Sequence, residues 1–170
     1  MELPGKLEPD NPLWRFALAF WQNAEARQAC LALQEQGWSV TRLLCAGWLA
    51  LSGRRYDGQE DATLTKWRQD VTGALRTARR ALPKGSEACR ELREAVARLE
   101  LQAEQLELAM AWNALKPTTP EHDTMQGRRQ LIEHNLARAA NTSRQAHAAT
   151  GELNTLARLL ANFSHGDIQP

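Results

Sequence analysis

The chain has 170 residues, of which 43% are hydrophobic, enough for one ordinary packed domain and too apolar for wholesale disorder. Its formal net charge of +1 lacks the basic excess of a dedicated nucleic-acid binder. Alanine, leucine, arginine, glutamate and glutamine dominate while valine and isoleucine are scarce, which favours helix over strand.

Residues 1–10 read as a tail, acidic and Pro-containing, without the basic start of a signal peptide. Asn11-Pro12 predicts a helix start, with Asn as N-cap and Pro in the first turn. The helix over 12–23 is apolar on nearly all sides, through Leu13, Trp14, Phe16, Leu18, Phe20 and Trp21, and must be surrounded. A second helix over 24–36 stops at Gly37. Ser39 caps a third over 40–52, whose Val40, Leu43, Leu44, Gly47, Trp48 and Leu51 trace one buried face before Gly53 ends it. After a polar loop over 54–61, a fourth helix over 62–82 carries Leu64, Trp67, Val71, Leu75, Ala78 and Leu82 inward.

Pro83-Lys84-Gly85 separates this from a fifth helix over 86–115, about 45 Å long at 1.5 Å per residue. Its Leu92, Val96, Leu99, Ala103, Leu106 and Met110 keep a heptad register. Residues 116–120 read as a tight connection. A sixth helix then runs back to about residue 150, with Met125, Ile132, Leu136, Ala139, Ser143, Ala146, Leu153, Ala157 and Leu160 on one seven-residue lattice. Gly151 kinks or ends it, a return segment over 153–163 follows, and 164–170 is a tail. Two such stripes predict an antiparallel, coiled-coil-like hairpin. Heptads specify pairing but not whether the second helix belongs to the same molecule, so a homodimer through the seam stays open.

Five of the six tryptophans (Trp14, Trp21, Trp38, Trp48 and Trp67) fall in the first 67 residues and mark that part as a globular core. Cys30, Cys45 and Cys89 are far apart and form no C-x-x-C, so neither a zinc knuckle nor a redox pair is indicated. Reduced thiols fit the cytoplasm. The longest uncharged runs, 16–23 and 43–53, are too short to span a bilayer.

No constellation reaches a catalytic signature. Gln36-Gly37-Trp38-Ser39-Val40 has the look of a helix-turn-helix turn, but the following helix offers only Arg42 to bases and phosphates. Asp57 and Asp61 have the i, i+4 spacing of helical magnesium–diphosphate sites but lack a second acidic pair. They are explained by capping at a helix N-terminus. His122, His134, His147 and His165 are not spaced as metal ligands. Arg76, Arg79, Arg80 and Lys84 give a weak signal for an acidic partner or a phosphate, against ordinary cations at a helix C-terminus. A second stripe on the fifth helix, Leu101, Leu108, Trp112 and Leu115, lies away from the seam and is the candidate partner-binding surface.

The stretches NPLWRFALAFW at 11–21, ACLALQEQGWSVTRLLCAGWLA at 29–50 and WRQDVTGALRTARRAL at 67–82 resemble an uncharacterised proteobacterial family, a conserved domain of unknown function. The resemblance covers residues 11–83. It implies a helical domain in a bacterial cytoplasm, and no activity or site residues.

The expectation is therefore an all-α protein: a Trp-rich helical domain of about four helices over 11–84, and a long helical hairpin with its return segment over 85–163. The expected role is a non-catalytic cytoplasmic adaptor or protein-interaction module, without cofactor or metal and without nucleic-acid or membrane partners. Two alternatives stand beside it: a small ligand-binding protein or enzyme with a pocket among the N-terminal tryptophans, and a self-associating structural protein.

Overall fold

The computed structural model describes residues 2–115 and 125–164. Every regular element among them is helical, and the fold is all-α. The chain forms two compact units, Asp10–Gln59 with Lys116–Pro170 and Met1–Pro9 with Glu60–Leu115. The turn following residue 82, where the sequence suggests a domain boundary, lies inside the latter. The 116–120 connection, Glu121, His122, Asp123 and His165 lie outside the described residues.

The first of these, the bundle unit, opens with α1 (Pro12–Trp21), α2 (Ala24–Glu35) and α3 (Val40–Leu51). Each start is set by a side chain that satisfies orphan backbone N–H groups. Asn11 accepts from the Trp14 N–H, Asn23 from those of Glu25 and Ala26, and Ser39 from that of Arg42. Two of the ends are left-handed glycines, Gly37 at φ 85° and Gly53 at φ 68°. In each the following N–H reaches back to close the last turn: Trp38 to the Leu33 carbonyl at 3.0 Å and Arg54 to the Leu49 carbonyl at 2.8 Å.

Against these helices pack α7 (Met125–Arg138) and α9 (Thr150–Ala161), with the short α8 (Ser143–Ala148) between them. The core holds Leu13, Phe16, Phe20, Leu33, Leu43, Ile132, Leu136, Leu156 and Leu160, all nearly inaccessible. Phe163 closes edge-on over Phe16 and Phe20. Gly47 lets α9 come close to α3: a Cβ there would lie 3.1 Å from Leu160 Cδ1. Of the six tryptophans only Trp38 is fully buried, so leucine and phenylalanine, not tryptophan, make this core.

The expected sixth helix is broken. Thr142 takes an extended conformation and accepts from the Gln145 N–H, starting α8 afresh. The seven-residue lattice is thus divided among three helices. Ile132, Leu136 and Ala139 are buried in the bundle unit, where α7 packs on α3 and α9.

The hairpin unit is built from α4 (Ala62–Trp67), a π-helical turn (Arg68–Thr72), α5 (Gly73–Ala81) and α6 (Glu87–Ala114). Backbone angles stay helical through Arg68 and Gly73, so α4, the π turn and α5 make one continuous rod, as the fourth helix was expected to be. The long helix α6 packs on this rod. This corrects the expected pairing, in which the heptad stripe of α6 pairs with the sixth helix. The reason is electrostatic and is given by the facing side chains.

Candidate functional site

Glu100, Glu104 and Glu107 repeat at four and three residues on α6, and therefore share one face. The rod opposite presents Arg68, Thr72, Arg76 and Arg79. Arg68 Nε donates to Glu107 Oε1 at 2.7 Å, and its Nη1 and Nη2 grip both oxygens of Glu60 at 2.6 and 2.9 Å. Thr72 Oγ1 donates to the other oxygen of Glu107 at 3.0 Å. Arg76 bridges Glu100 at 2.8 Å and Glu104 at 2.7 Å, and Arg79 Nε reaches Glu100 at 2.6 Å. Trp67 Nε1 donates to the Ala103 carbonyl at 3.0 Å. Residue 107 thus meets 68 and 72, and residue 100 meets 76 and 79, so α6 runs antiparallel to the rod.

The π turn matters to this seam. Its wider winding places Arg68 and Thr72 so that both reach the Glu107 carboxylate, which is 1% exposed. Three arginines face four glutamates, and the imbalance falls on Glu104. Burial pushes its carboxyl up to about 7; Arg76 opposes this, while Glu100 and Glu107 add to it. Burial acts the same way on Glu100, but hydrogen bonds from Arg79 and Arg76 outweigh it and hold that carboxyl below its ordinary value.

A carboxyl poised near 7 has the acidity of a general acid or base. Neither larger cleft described is lined by Glu104. One, of about 520 Å³, lies beside Asp61, Thr63, Leu64, Met110 and Asn113. Another, of about 260 Å³, lies between α7, α8 and α9 beside Glu133, His147 and Asn154. His147 Nδ1 is engaged with the Ser143 carbonyl of its own helix at 2.8 Å. The void next to α1–α3 is about 10 Å³, room for about one water, and is lined by Phe16, Phe20, Cys30 and leucines rather than tryptophans. Among the described residues no group of three His, Cys, Asp or Glu side chains is placed to hold a metal ion. The acidic loop is explained locally: Asp61 caps α4 by accepting from the Thr63 N–H, and Asp57 accepts from that of Gln59.

The second stripe of α6 does not form one accessible surface. Leu108 is 2% exposed, Trp112 and Leu115 are half-buried, and only Leu101 is open. Of the four basic residues, Arg76 and Arg79 are taken up by Glu100 and Glu104, while Arg80 and Lys84 are exposed. Both outcomes have one cause. A row of glutamates opposite a row of arginines is desolvated only if the rows meet, and this meeting decides which faces of α5 and α6 are covered.

What remains uncovered is an apolar face. Leu75, Ala78 and Leu82 centre about 90° around α5 from Arg76 and Arg79, at 100° per residue. Leu92, Val96 and Leu99 centre about 90° around α6 from the glutamates, in the same rotational sense. Two antiparallel helices that face each other through the charged rows then carry both stripes on one side. Leu92 and Leu99 are 53% and 50% exposed. Ala74, Ala78, Ala81 and Ala88 are exposed around them, with Leu75, Leu82, Ala95 and Val96 half-buried. Arg93 crosses between the helices beside Leu82, where it donates to the carbonyls of Arg79 and Leu82. The heptad register marks the α6 half of the face, and the matched spacing of 68, 76, 79 with 100, 104, 107 is the signal that assigns it to solvent.

No helix among the described residues is long and apolar enough to cross a membrane. No curated protein and no solved structure showed a match to the chain. A family model described as "Protein of unknown function (DUF2390)" matches residues 12–111, carrying the resemblance beyond residue 83 and along most of α6. Since that match takes in the capped helices α1–α3, the charged seam and the face beside it, the chain belongs to the DUF2390 family.

Proposed function

We propose that the protein is a non-catalytic helical interaction module of the cytoplasm, which associates through the apolar face of the α5–α6 hairpin. The observation that carries the reading is the set of Leu75, Ala78, Leu82, Leu92, Val96 and Leu99 on one side of two adjacent helices, with Leu92 and Leu99 half open to water. Contiguous exposed apolar surface of this kind marks interaction sites. The charged seam supports it by holding the two helices in fixed register, so that the face is preformed. Cysteines without disulfides support the cytoplasmic placement. The interaction surface expected on Leu101, Leu108, Trp112 and Leu115 gives way to this one because Leu108 is core.

The test is a photo-crosslinking residue placed at Leu92 or Leu99 in the living host, with Arg90 on the far side of α6 as control. Discrete protein adducts at 92 and 99 that fade at 90 are expected. Adducts no stronger at 92 and 99 than at 90 would overturn the reading.

A further inference from the structure

We infer that the occupant of this face is a second copy of the chain, with α6 packed antiparallel on the α6 of its partner. The inference rests on the association surface proposed above and commits it to one occupant. Three observations point the same way.

The face is self-complementary in size. Along α6 the order is Leu92, then Ala95 and Val96, then Leu99. An antiparallel copy centred between 95 and 96 sets Leu92 beside the partner's Leu99 and small side chains at the crossing. Leucines thus meet at both ends and small side chains at the centre, and a pattern that maps onto itself under a two-fold axis is how an isologous interface closes. On α5 Leu75, Ala78 and Leu82 repeat the same order of large, small, large.

The rim is self-complementary in charge. Glu91 and Arg98 both lie about 110° from the stripe on its outer side. They are seven residues apart, about 10 Å along the helix, too far to pair with each other. The register that centres the leucines leaves Glu91 two residues out of level with the partner's Arg98, about 3 Å along the axis and within reach of two long side chains on the same flank, and by symmetry repeats the pair. This is the flanking charge pattern by which paired helices select a partner and a direction. The net charge of +1 sets little overall repulsion against two copies meeting.

The area is adequate. On α6 the face takes twelve residues, about 18 Å, and on α5 nine, about 13 Å, each helix being about 10 Å wide. Each copy thus offers about 300 Å² in projection, and side-chain relief brings the total for two copies to about 600–1,000 Å², the size of a weak, reversible interface.

The test is the mass of the purified full chain by sedimentation equilibrium, at concentrations up to about 100 µM, above the micromolar Kd expected of a small interface. Twice the chain mass is expected. Glu91→Arg and Arg98→Glu should each weaken dimerisation about tenfold or more, because each sets like charges across the two-fold axis. The double variant E91R/R98E should restore it. Circular dichroism of every variant checks that the helices persist. A chain that stays monomeric throughout the range, or a double variant as weak as the singles, overturns the inference. If the chain is monomeric and crosslinking at Leu92 traps a different protein, the association surface stands and the second copy falls. If crosslinking also fails, both fall.

Discussion

Glu104→Gln should stabilise the protein, and only above the acid range. The carboxyl is pushed from 4.5 to about 7 by burial, against the pull of Arg76. Between those two values the native chain holds a proton that the unfolded chain has released. Stability therefore falls as pH rises through this window, and the full penalty is present above pH 7. A difference of about 2.5 units at 1.36 kcal/mol each bounds the effect at about 3 kcal/mol. The side chain keeps 23% of its exposure, so water screens part of this and about 1–3 kcal/mol is the expected range. Glutamine keeps the size and an acceptor oxygen for Arg76 Nη2, now 2.7 Å from Oε1, while removing the charge. Urea unfolding followed by circular dichroism at pH 4.5, 6, 7 and 8 gives the comparison. The variant should match the natural chain within about 0.5 kcal/mol at pH 4.5 and exceed it progressively up to pH 8. A gain independent of pH, or a loss at pH 8, would show that the ionised Glu104–Arg76 pair is a net stabilising contact and refute the argument from burial.

Leu108→Ala should cost about 2–5 kcal/mol while Leu101→Ala stays within about 0.5 kcal/mol, since one is core and the other open to water; thermal melts of the two decide it. Asn135 is fully buried in the bundle unit, accepts from the Tyr56 N–H and donates to the carbonyls of Ala46 and Arg54. Asn135→Ala removes three hydrogen bonds from the bundle interior at about 1 kcal/mol each, so it should destabilise the bundle unit by about 3 kcal/mol, read as an earlier loss of helical signal on heating. Burial pushes the Cys30 thiol up to about 12, whereas Cys89 is only half-buried. A thiol reagent at pH 8 should therefore modify Cys89 first and Cys30 only when denaturant is added; equal rates would refute this.

The local signals in the sequence are punctuation, and they were legible. Asn11-Pro12, Ser39, Gly37 and Gly53 each act within four residues, and the helices start and stop where those side chains and φ angles require. The lattice from 125 to 160 misleads because a seven-residue repeat survives a chain break. Ala140-Asn141-Thr142 interrupts the helix, but leaves Ile132, Leu136, Ala157 and Leu160 on core-facing positions either way. Pairing is a different kind of information. The stripe on α6 says that a helix is wanted, without saying which, and its apolar half is the half left open. The partner of α6 was written in its glutamates, whose spacing matches arginines 21 to 39 residues upstream. Read as solvated charge, those glutamates hide the assignment. Asn135 carries no local signal at all, since its partners at 46, 54 and 56 are brought to it only by the finished bundle.

A polar seam is a costly way to join two helices, and the cost explains the exposed face. Desolvating arginines and glutamates roughly cancels their attraction, so the seam adds direction and register more than stability. Had Leu75, Leu82, Leu92 and Leu99 been turned inward, the hairpin would be held more tightly and would carry no apolar surface for anything else. Two kinds of substitution separate these roles. Glu100→Ala leaves Arg76 and Arg79 without their shared carboxylate in a half-buried seam, and should cost about 3 kcal/mol or more. Replacing Arg76, Arg79 and Glu100 together by leucine or methionine removes the orphaned charges with their partner, and should be close to neutral in stability. The triple variant should nevertheless lose the fixed register, because an apolar seam flanked by an apolar stripe gives α6 two near-equivalent faces to bury. Amide spectra with broadened or doubled signals for 87–99, in a chain that melts no earlier than the natural one, are the expected result. A triple variant with one sharp set of signals would show that packing alone sets the register, and that the charged rows are dispensable to the face they border.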